Sequence, residues 1–156
     1  MPGMRNSSDD DTGTAGQDEE LSVERLLGMT DAANELKAVY RIGDLANEFG
    51  ISLRSLRFYE ARGLLQPARR GTTRLYSQDD RRRLRLILLC KLLSFSLTEI
   101  RQIVNAYLGT GSELQRTQGL RAVFEHQRSV LQAQRDDLDA SMAALDASLL
   151  ALDKPS

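Results

Sequence analysis

The sequence contains few of the residue types that build disulfide frameworks and metal sites. It has one cysteine, Cys90, and one histidine, His126, among 156 residues. One cysteine excludes a disulfide within the chain, and one histidine is too few for a closed metal site, so neither a metal nor another cofactor is expected. Cys90 lies in an apolar run, where a free cysteine usually packs as a small buried hydrophobic residue.

Long apolar runs are also missing. No stretch reaches the roughly 18–20 apolar residues of a membrane span, and the N-terminus lacks a basic-then-apolar signal pattern. We therefore expect a soluble, cytoplasmic protein with no membrane partner. No glycine-rich phosphate loop, no nucleophile with a histidine partner and no recognisable pair of acids is present. No catalytic residue is assigned, and the chain is predicted not to be an enzyme.

The near-neutral total charge conceals an uneven distribution along the chain. Residues 1–38 carry 9 acids and 3 bases, whereas residues 39–100 carry 12 bases and 6 acids. A concentrated positive segment is the charge pattern expected of a surface that contacts phosphates. The acidic extension 1–38 is predicted to be largely disordered, with a possible short helix at 21–36. That extension either merely precedes the domain or docks on it and modulates DNA binding.

The basic segment begins with two short helical patterns. The first is an apolar stripe with helical period, formed by Ile42, Leu45, Ala46 and Phe49. Gly50 ends it, and Ser52 can cap a second helix that runs to about Arg62. Two short helices joined by a three-residue turn containing glycine predict a helix-turn-helix.

The second of these helices should have an inner and an outer face. Leu53 and Leu56 are expected to face the core, with Tyr59 partly buried. The side chains left to point outward are those of Arg54, Ser55, Arg57 and Phe58. A cationic and aromatic outer face suits a DNA groove better than a catalytic cleft.

A wing and two further helices are predicted next. Two short strands should flank a tight basic turn at Ala68–Thr72, and possible capping boxes at Ser77–Asp80 and Ser96–Glu99 should start helices ending near residues 93 and 108. The first of these helices starts with Arg81, Arg82, Arg83 and Arg85. Because cations oppose the dipole of a helix N-terminus, these arginines either contact phosphates or form a solubilising face.

A long helix with heptad spacing is predicted over residues 112–153. Its proposed seam consists of Phe124, Leu131, Leu138, Leu145 and Leu152 at seven-residue steps, joined by Met142 and Leu149. So small a domain cannot bury this seam, which indicates a homodimer through this helix. The alternative is that the helix folds back on its own chain.

Taken in order, these motifs resemble the MerR family of bacterial transcription regulators. The resemblance is carried by YRIGDLA at 40–46, LRFYE at 56–60, GLL at 63–65, RR at 69–70, RLYS at 74–77 and FSLTEI at 95–100. It covers about residues 39–108 closely and the last helix by architecture only. It implies a mainly α fold, in which a winged helix-turn-helix DNA-binding domain at 39–108 precedes a long dimerisation helix that forms an antiparallel coiled coil.

The resemblance also implies roles for individual residues. Arg54 and Arg57 match positions that contact the major groove, Arg70 and Arg74 match wing positions on the flanking backbone, and Tyr76 matches the wing tyrosine. The full predicted DNA-binding set is Arg54, Ser55, Arg57, Phe58, Tyr59, Arg69, Arg70, Arg74 and Tyr76. The implied partners are double-stranded promoter DNA, a second copy of the chain and RNA polymerase, with regulation through distortion of the promoter spacer.

The sensing half of such a regulator has no counterpart in the sequence. The helix at 112–153 contains no cysteine, and no effector-binding domain or metal-binding loop is recognisable. The inducing signal, the target genes and the choice between activation and repression therefore stay open, although the segment 68–100 is also similar to members associated with branched-chain amino acid and acyl-CoA catabolism. The rival hypothesis is a coiled-coil adaptor that uses its helix-turn-helix for protein contacts.

Overall fold

The computed structural model describes residues 23–27, 37–108 and 111–155, and it is mainly helical. In chain order its elements are α1 (Val23–Leu26), β1 (Val39–Tyr40), α2 (Ile42–Phe49), α3 (Leu53–Ala61), β2 (Ala68–Arg70), β3 (Thr73–Ser77), α4 (Gln78–Leu92), α5 (Leu97–Tyr107) and α6 (Glu113–Leu152). The predicted winged helix-turn-helix followed by a long helix is confirmed.

The two helices of the helix-turn-helix begin and end at the residues that the sequence indicates. Gly50 follows α2 with φ 61°, a left-handed conformation that glycine adopts without a steric penalty. Ser52 then caps α3, its Oγ accepting a hydrogen bond of 3.0 Å from the backbone N–H of Ser55. The turn is therefore determined by two local signals.

The wing is part of a three-stranded antiparallel sheet with the order β1-β3-β2. Arg69 lies opposite Arg74, and Arg70 lies opposite Thr73 across a turn in which Gly71 has φ 62°. The predicted turn at Ala68–Thr72 is thus too wide, because its first three residues belong to β2. Strand β1, which pairs with β3, was not predicted.

The core lies between the sheet and helices α2 to α5. Its most completely buried side chains are Leu45, Phe49, Leu56, Leu64, Leu65, Tyr76, Leu84, Ile87, Leu89, Cys90, Ile100 and Val104. Cys90 is confirmed as a buried hydrophobic residue, and burial raises the pKa of its thiol to about 12. Both capping boxes are confirmed, with Ser77 and Asp80 starting α4 and Ser96 and Glu99 starting α5.

Two expectations about side-chain burial are wrong. Leu53 does not face the core: it lies in the first turn of α3, beyond the edge of the core, and is 41% exposed. Arg81 is neither a solvated charge nor free for phosphate, because it is only 5% exposed. Its guanidinium donates to the Glu48 carboxylate of α2 (Nε to Oε1, 2.9 Å) and lies over the rings of Tyr40 and Phe49.

Helix α6 contacts the rest of the chain only through its first part, within the residues the structure describes. Leu120, Val123 and Phe124 pack against the core, and Gln127 donates to the carbonyl of Leu93 at 2.9 Å. Phe124 lies 6.1 Å from Phe95, ring centre to ring centre. Phe124, the first position of the predicted seam, thus packs partly within its own chain, and the seam itself stays a prediction.

The N-terminal extension is described at residues 23–27 and 37–38. There α1 contacts α4, and Leu26 is 4% exposed. The remainder of the predicted helix at 21–36 and the predicted disordered segment lie outside the described residues. The division of the chain at residues 38 and 108 stays a prediction.

Candidate nucleic-acid interface

The outer face of α3 is cationic and partly aromatic, as predicted. Arg54 and Arg57 are exposed, Phe58 is 40% exposed, and Ser55 is half-buried with its hydroxyl 3.0 Å from that of Ser52. Arg54 and Arg57 form no hydrogen bond or ion pair with the described part of the chain. Their charges are therefore available to a ligand.

Arg62 extends this face at the end of α3. Its guanidinium carbon lies 5.2 Å from the centre of the Phe58 ring, within the range of a cation–π contact. Its carbonyl accepts a hydrogen bond from Arg101 of α5. The contacts hold Phe58 and Arg62 at the exposed surface rather than in the core.

The wing is joined to α3 by one carboxylate. Glu60 accepts hydrogen bonds from Arg69 of β2 at 2.7 Å and from Arg74 of β3 at 2.5 Å. Arg69 is still half-exposed, and Arg70 is exposed without a partner among the described residues. Glu60 thus fixes two wing arginines beside α3, while the charge of Arg70 is not neutralised by the described part of the chain.

The electrostatics of Glu60 agree with this role. Burial opposes its ionisation, but hydrogen bonds from Arg74 and Arg69 outweigh burial and lower the pKa of the carboxyl from its ordinary value. Glu60 was not among the predicted site residues. The sequence nevertheless distinguishes Glu60, because it is the one acid between residues 49 and 78, inside the most basic part of the sequence.

Two tyrosines of the predicted DNA-binding set are buried. Tyr59 is 3% exposed and Tyr76 is fully buried, so neither side chain projects from the surface. The Tyr76 hydroxyl has no hydrogen-bond partner among the described residues. Burial, followed by the charge of Glu60, raises the pKa of Tyr76. We place both residues beneath the interface, where they support α3 and the wing.

The remaining arginines at the start of α4 are used within the chain. Arg82 pairs with Asp79 at 3.0 Å, and Arg83 donates to the Leu64 carbonyl and to the Asn105 side chain. Together with the contacts of buried Arg81, these contacts give three arginines of this helix N-terminus partners within the chain. The expected phosphate-contacting run therefore does not form a single exposed surface.

An exposed helix of a helix-turn-helix beside a basic wing defines the class of winged helix-turn-helix proteins. The models of two domains match the chain: "MerR HTH family regulatory protein" over residues 40–107 and "MerR, DNA binding" over residues 81–148. This chain belongs to the MerR family of regulatory proteins.

Relatives and solved structures agree with this assignment. The chain is 34% identical over 88 residues to the "HTH-type transcriptional regulator ZntR homolog" of Haemophilus influenzae, covering 55% of this chain and 64% of that protein. It is 40% identical over 65 residues to the nodulation protein NolA of Bradyrhizobium diazoefficiens, covering 40% and 27%. The match to each of these relatives therefore spans less than two thirds of its length.

Among solved structures, the N-terminal part of MtaN, the multidrug transporter activator of Bacillus subtilis, superposes with a TM-score of 0.59 at 27% identity. That match covers 71% of this chain and 98% of the other. A MerR-family transcriptional regulator from Bacillus cereus superposes with a TM-score of 0.56 at 28% identity, covering 76% and 85%.

Within residues 23–27, 37–108 and 111–155, no helix combines the length and apolar character needed to cross a bilayer.

Proposed function

We propose that this chain is a sequence-specific DNA-binding transcriptional regulator that acts as a homodimer on promoter DNA. The observation that carries the proposal is the surface formed by the outer face of α3 and the wing. Arg54, Arg57 and Arg70 are exposed there without carboxylate partners in the described part of the chain. A coiled-coil adaptor has no use for such a concentration of unneutralised arginine.

The dimensions of α3 suit the major groove. An α-helix with its side chains is roughly 10–12 Å across, which matches the roughly 12 Å width of the groove in B-DNA. Arg54 and Arg57 are three residues apart and therefore share the outer face of α3. We assign them to base edges and adjacent phosphates, with Ser55 and Phe58 beside them on the same helix.

The wing supplies contacts to the flanking backbone. Arg70 is free to meet a phosphate, and Arg69 can share its charge between Glu60 and DNA because its side chain is 49% exposed. Arg74 is more enclosed, at 21% exposure, and we assign it to positioning the wing. Phosphate contacts of this kind make binding strongly dependent on salt.

The second half of α6 supports the proposed dimerisation. Leu138, Met142, Leu145 and Leu149 are between 52% and 62% exposed, and they recur at heptad positions. Burial of each such side chain contributes about 1.5–3 kcal/mol, so leaving four exposed is costly. An antiparallel pairing with α6 of a second copy covers them and relates the two α3 helices by a two-fold axis.

We further propose promoter DNA and RNA polymerase as partners of this dimer. A dimer with two-fold symmetry that binds both flanks of a near-palindromic site can bend and untwist the spacer between promoter elements. We propose this mechanism because the chain belongs to the MerR family and presents a reading helix and a wing on one surface. Its target genes and the direction of regulation are matters for experiment.

The DNA-binding part is tested with duplexes selected from a random library by the full-length protein. Replacing Arg57 and Arg70 with alanine should lower affinity for the selected duplex by about a hundredfold and reduce the salt dependence. Arg121→Ala serves as the matched control, because Arg121 is an exposed arginine on α6 that pairs with Glu125. Unchanged duplex affinity in the double variant contradicts the proposal.

The dimer is tested separately by sedimentation. Leu145→Glu should convert the dimer to a monomer, whereas Ala147→Glu, two residues away and off the seam, should leave it intact. Equal sedimentation of both variants contradicts pairing through this seam. The monomeric variant should also lose most of its affinity for a two-half-site duplex while retaining weak binding to a single half-site.

A further inference from the structure

A second cationic region lies where the start of α4, the end of α5 and the start of α6 meet. It is a cavity of about 460 Å³ lined by Asp79, Arg82, Arg83, Leu108 and Arg116. Among the described residues, three guanidinium groups and one carboxylate give the lining a net charge of +2. None of these residues belongs to the α3 and wing surface described above.

The charges of two of these arginines are not neutralised by the described part of the chain. Arg83 donates to the Leu64 carbonyl at 3.3 Å and to the Asn105 side chain at 2.8 Å, both neutral acceptors. Arg116 donates to the carbonyl of Gly111 at 2.8 Å. The remaining pair joins Arg82 to Asp79, whose side chain is 85% exposed, and such a surface pair contributes little.

We propose that this cavity binds a compact anion with two or more negative charges, of the class of polyphosphates and small polycarboxylates. The cavity is within the size range of small-ligand sites, roughly 300–1,000 Å³. Guanidinium groups bind phosphate and carboxylate oxygens with paired, charge-assisted hydrogen bonds. Such an anion neutralises Arg83 and Arg116 together, which neither Asn105 nor Gly111 does.

The position of the cavity gives the ligand a regulatory role, which rests on the proposed function. Arg83 donates a hydrogen bond to the carbonyl of Leu64, in the segment that follows α3, and Arg116 lies in the first turn of α6. An anion held between them joins the DNA-binding body to the long helix. Because α6 relates the two α3 helices in the proposed dimer, a change at this junction alters their spacing on DNA.

Inorganic pyrophosphate is the probe, titrated into the full-length protein by calorimetry at constant ionic strength and without DNA. We expect saturable binding of one pyrophosphate per chain. Arg116→Gln should weaken it by about tenfold or more, and Arg121→Gln, five residues further along α6, should leave it unchanged. Asp79→Asn should strengthen it, since the variant removes the carboxylate that competes for Arg82.

The proposal is overturned if folded wild-type protein shows no saturable pyrophosphate binding. It is also overturned if Arg116→Gln and Arg121→Gln weaken that binding equally. A third contrary result would show that a phosphate of DNA is the occupant. Arg116→Gln should then lower duplex affinity without pyrophosphate as strongly as Arg57→Ala, whereas a small-anion site predicts unchanged duplex affinity. Loss of duplex binding is measured separately, so failure of the proposed function leaves the pyrophosphate result interpretable.

Discussion

Glu60 of α3 accepts a 2.5 Å hydrogen bond from Arg74 of β3, and this contact joins α3 to the wing. The same carboxylate also binds Arg69, so one acid organises two cations that would otherwise repel each other across the paired strands. The geometry explains how three arginines can crowd a short wing in the absence of DNA. It also makes Glu60 a residue that can be tested for positioning rather than contact.

Glu60→Gln should keep the shape of the contact and remove its charge. The unneutralised wing then attracts any phosphate more strongly, and the wing is less firmly held beside α3. We therefore expect affinity for an unrelated duplex to rise a few-fold while the ratio of selected to unrelated duplex binding falls. Fluorescence anisotropy on both duplexes measures this ratio. Glu99→Gln is the control, since Glu99 is an exposed acid of α5 and belongs neither to α3 nor to the wing. An unchanged ratio in Glu60→Gln contradicts the assignment.

The lowered pKa of Glu60 gives the wing a defined pH dependence. A carboxyl whose pKa is depressed in the folded state stabilises that state above its unfolded pKa, and this contribution is lost as pH falls through the folded pKa. Stability at neutral pH therefore includes the Glu60 contacts, and acidification below about pH 4.5 removes them progressively. The difference in unfolding free energy between wild type and Glu60→Gln should shrink as pH falls from 6 to 3, as measured by urea unfolding. A difference that is constant with pH would contradict this coupling.

Replacing Arg81 tests whether this buried arginine stabilises the fold more than an exposed arginine does. Arg81→Met should lower the free energy of unfolding by about 1–3 kcal/mol, because it removes charge-assisted hydrogen bonds to Glu48 in a buried setting. Arg82→Met alters the next residue, whose side chain is exposed, and should change the free energy of unfolding by no more than about 0.5 kcal/mol. Urea unfolding compares the two variants. Equal effects of the two substitutions would contradict a structural role for the contact between Arg81 and Glu48.

Tyr76→Phe should stabilise the protein or leave its stability unchanged. The substitution removes a buried hydroxyl that has no partner among the described residues, and an unsatisfied buried polar group costs about 1–3 kcal/mol. Duplex affinity should be unaffected, since the side chain is fully buried. Tyr40→Phe is the opposite control, because the Tyr40 hydroxyl accepts hydrogen bonds from Lys37 and Gln78. A loss of duplex binding in folded Tyr76→Phe would restore Tyr76 to the contact surface.

The sequence predicted those features that depend on local chemistry. Side-chain caps at Ser52 and Ser77 and the left-handed turn at Gly50 act within a few residues, so composition and spacing reveal them. Burial of Arg81 could not be predicted in this way, because its carboxylate partner is 33 residues earlier in the chain. Phe124 has heptad spacing like the leucines after it, and only packing in three dimensions reveals its contact with Phe95 of its own chain.

The junction of α5 and α6 depends on Gly119. A Cβ atom at this position would lie 2.2 Å from Cε1 of Tyr107, so the two helices approach too closely for alanine without a shift. Glycine to alanine in a helix ordinarily stabilises by about 0.5–1 kcal/mol, and Gly43→Ala in α2, where a Cβ meets nothing within 4 Å, should show that gain. Gly119→Ala should instead destabilise by about 1–3 kcal/mol through overpacking.

The cause of that loss can be isolated with a double-mutant cycle. If the clash is with the Tyr107 ring, adding Gly119→Ala to a Tyr107→Ala background should cost little or become favourable, giving a coupling energy of about 1 kcal/mol or more. Urea unfolding of the four proteins measures it. Additive effects would contradict the contact. Because Arg116 lies one turn before Gly119, a displaced α6 should also weaken pyrophosphate binding at the junction, whereas Gly43→Ala should not.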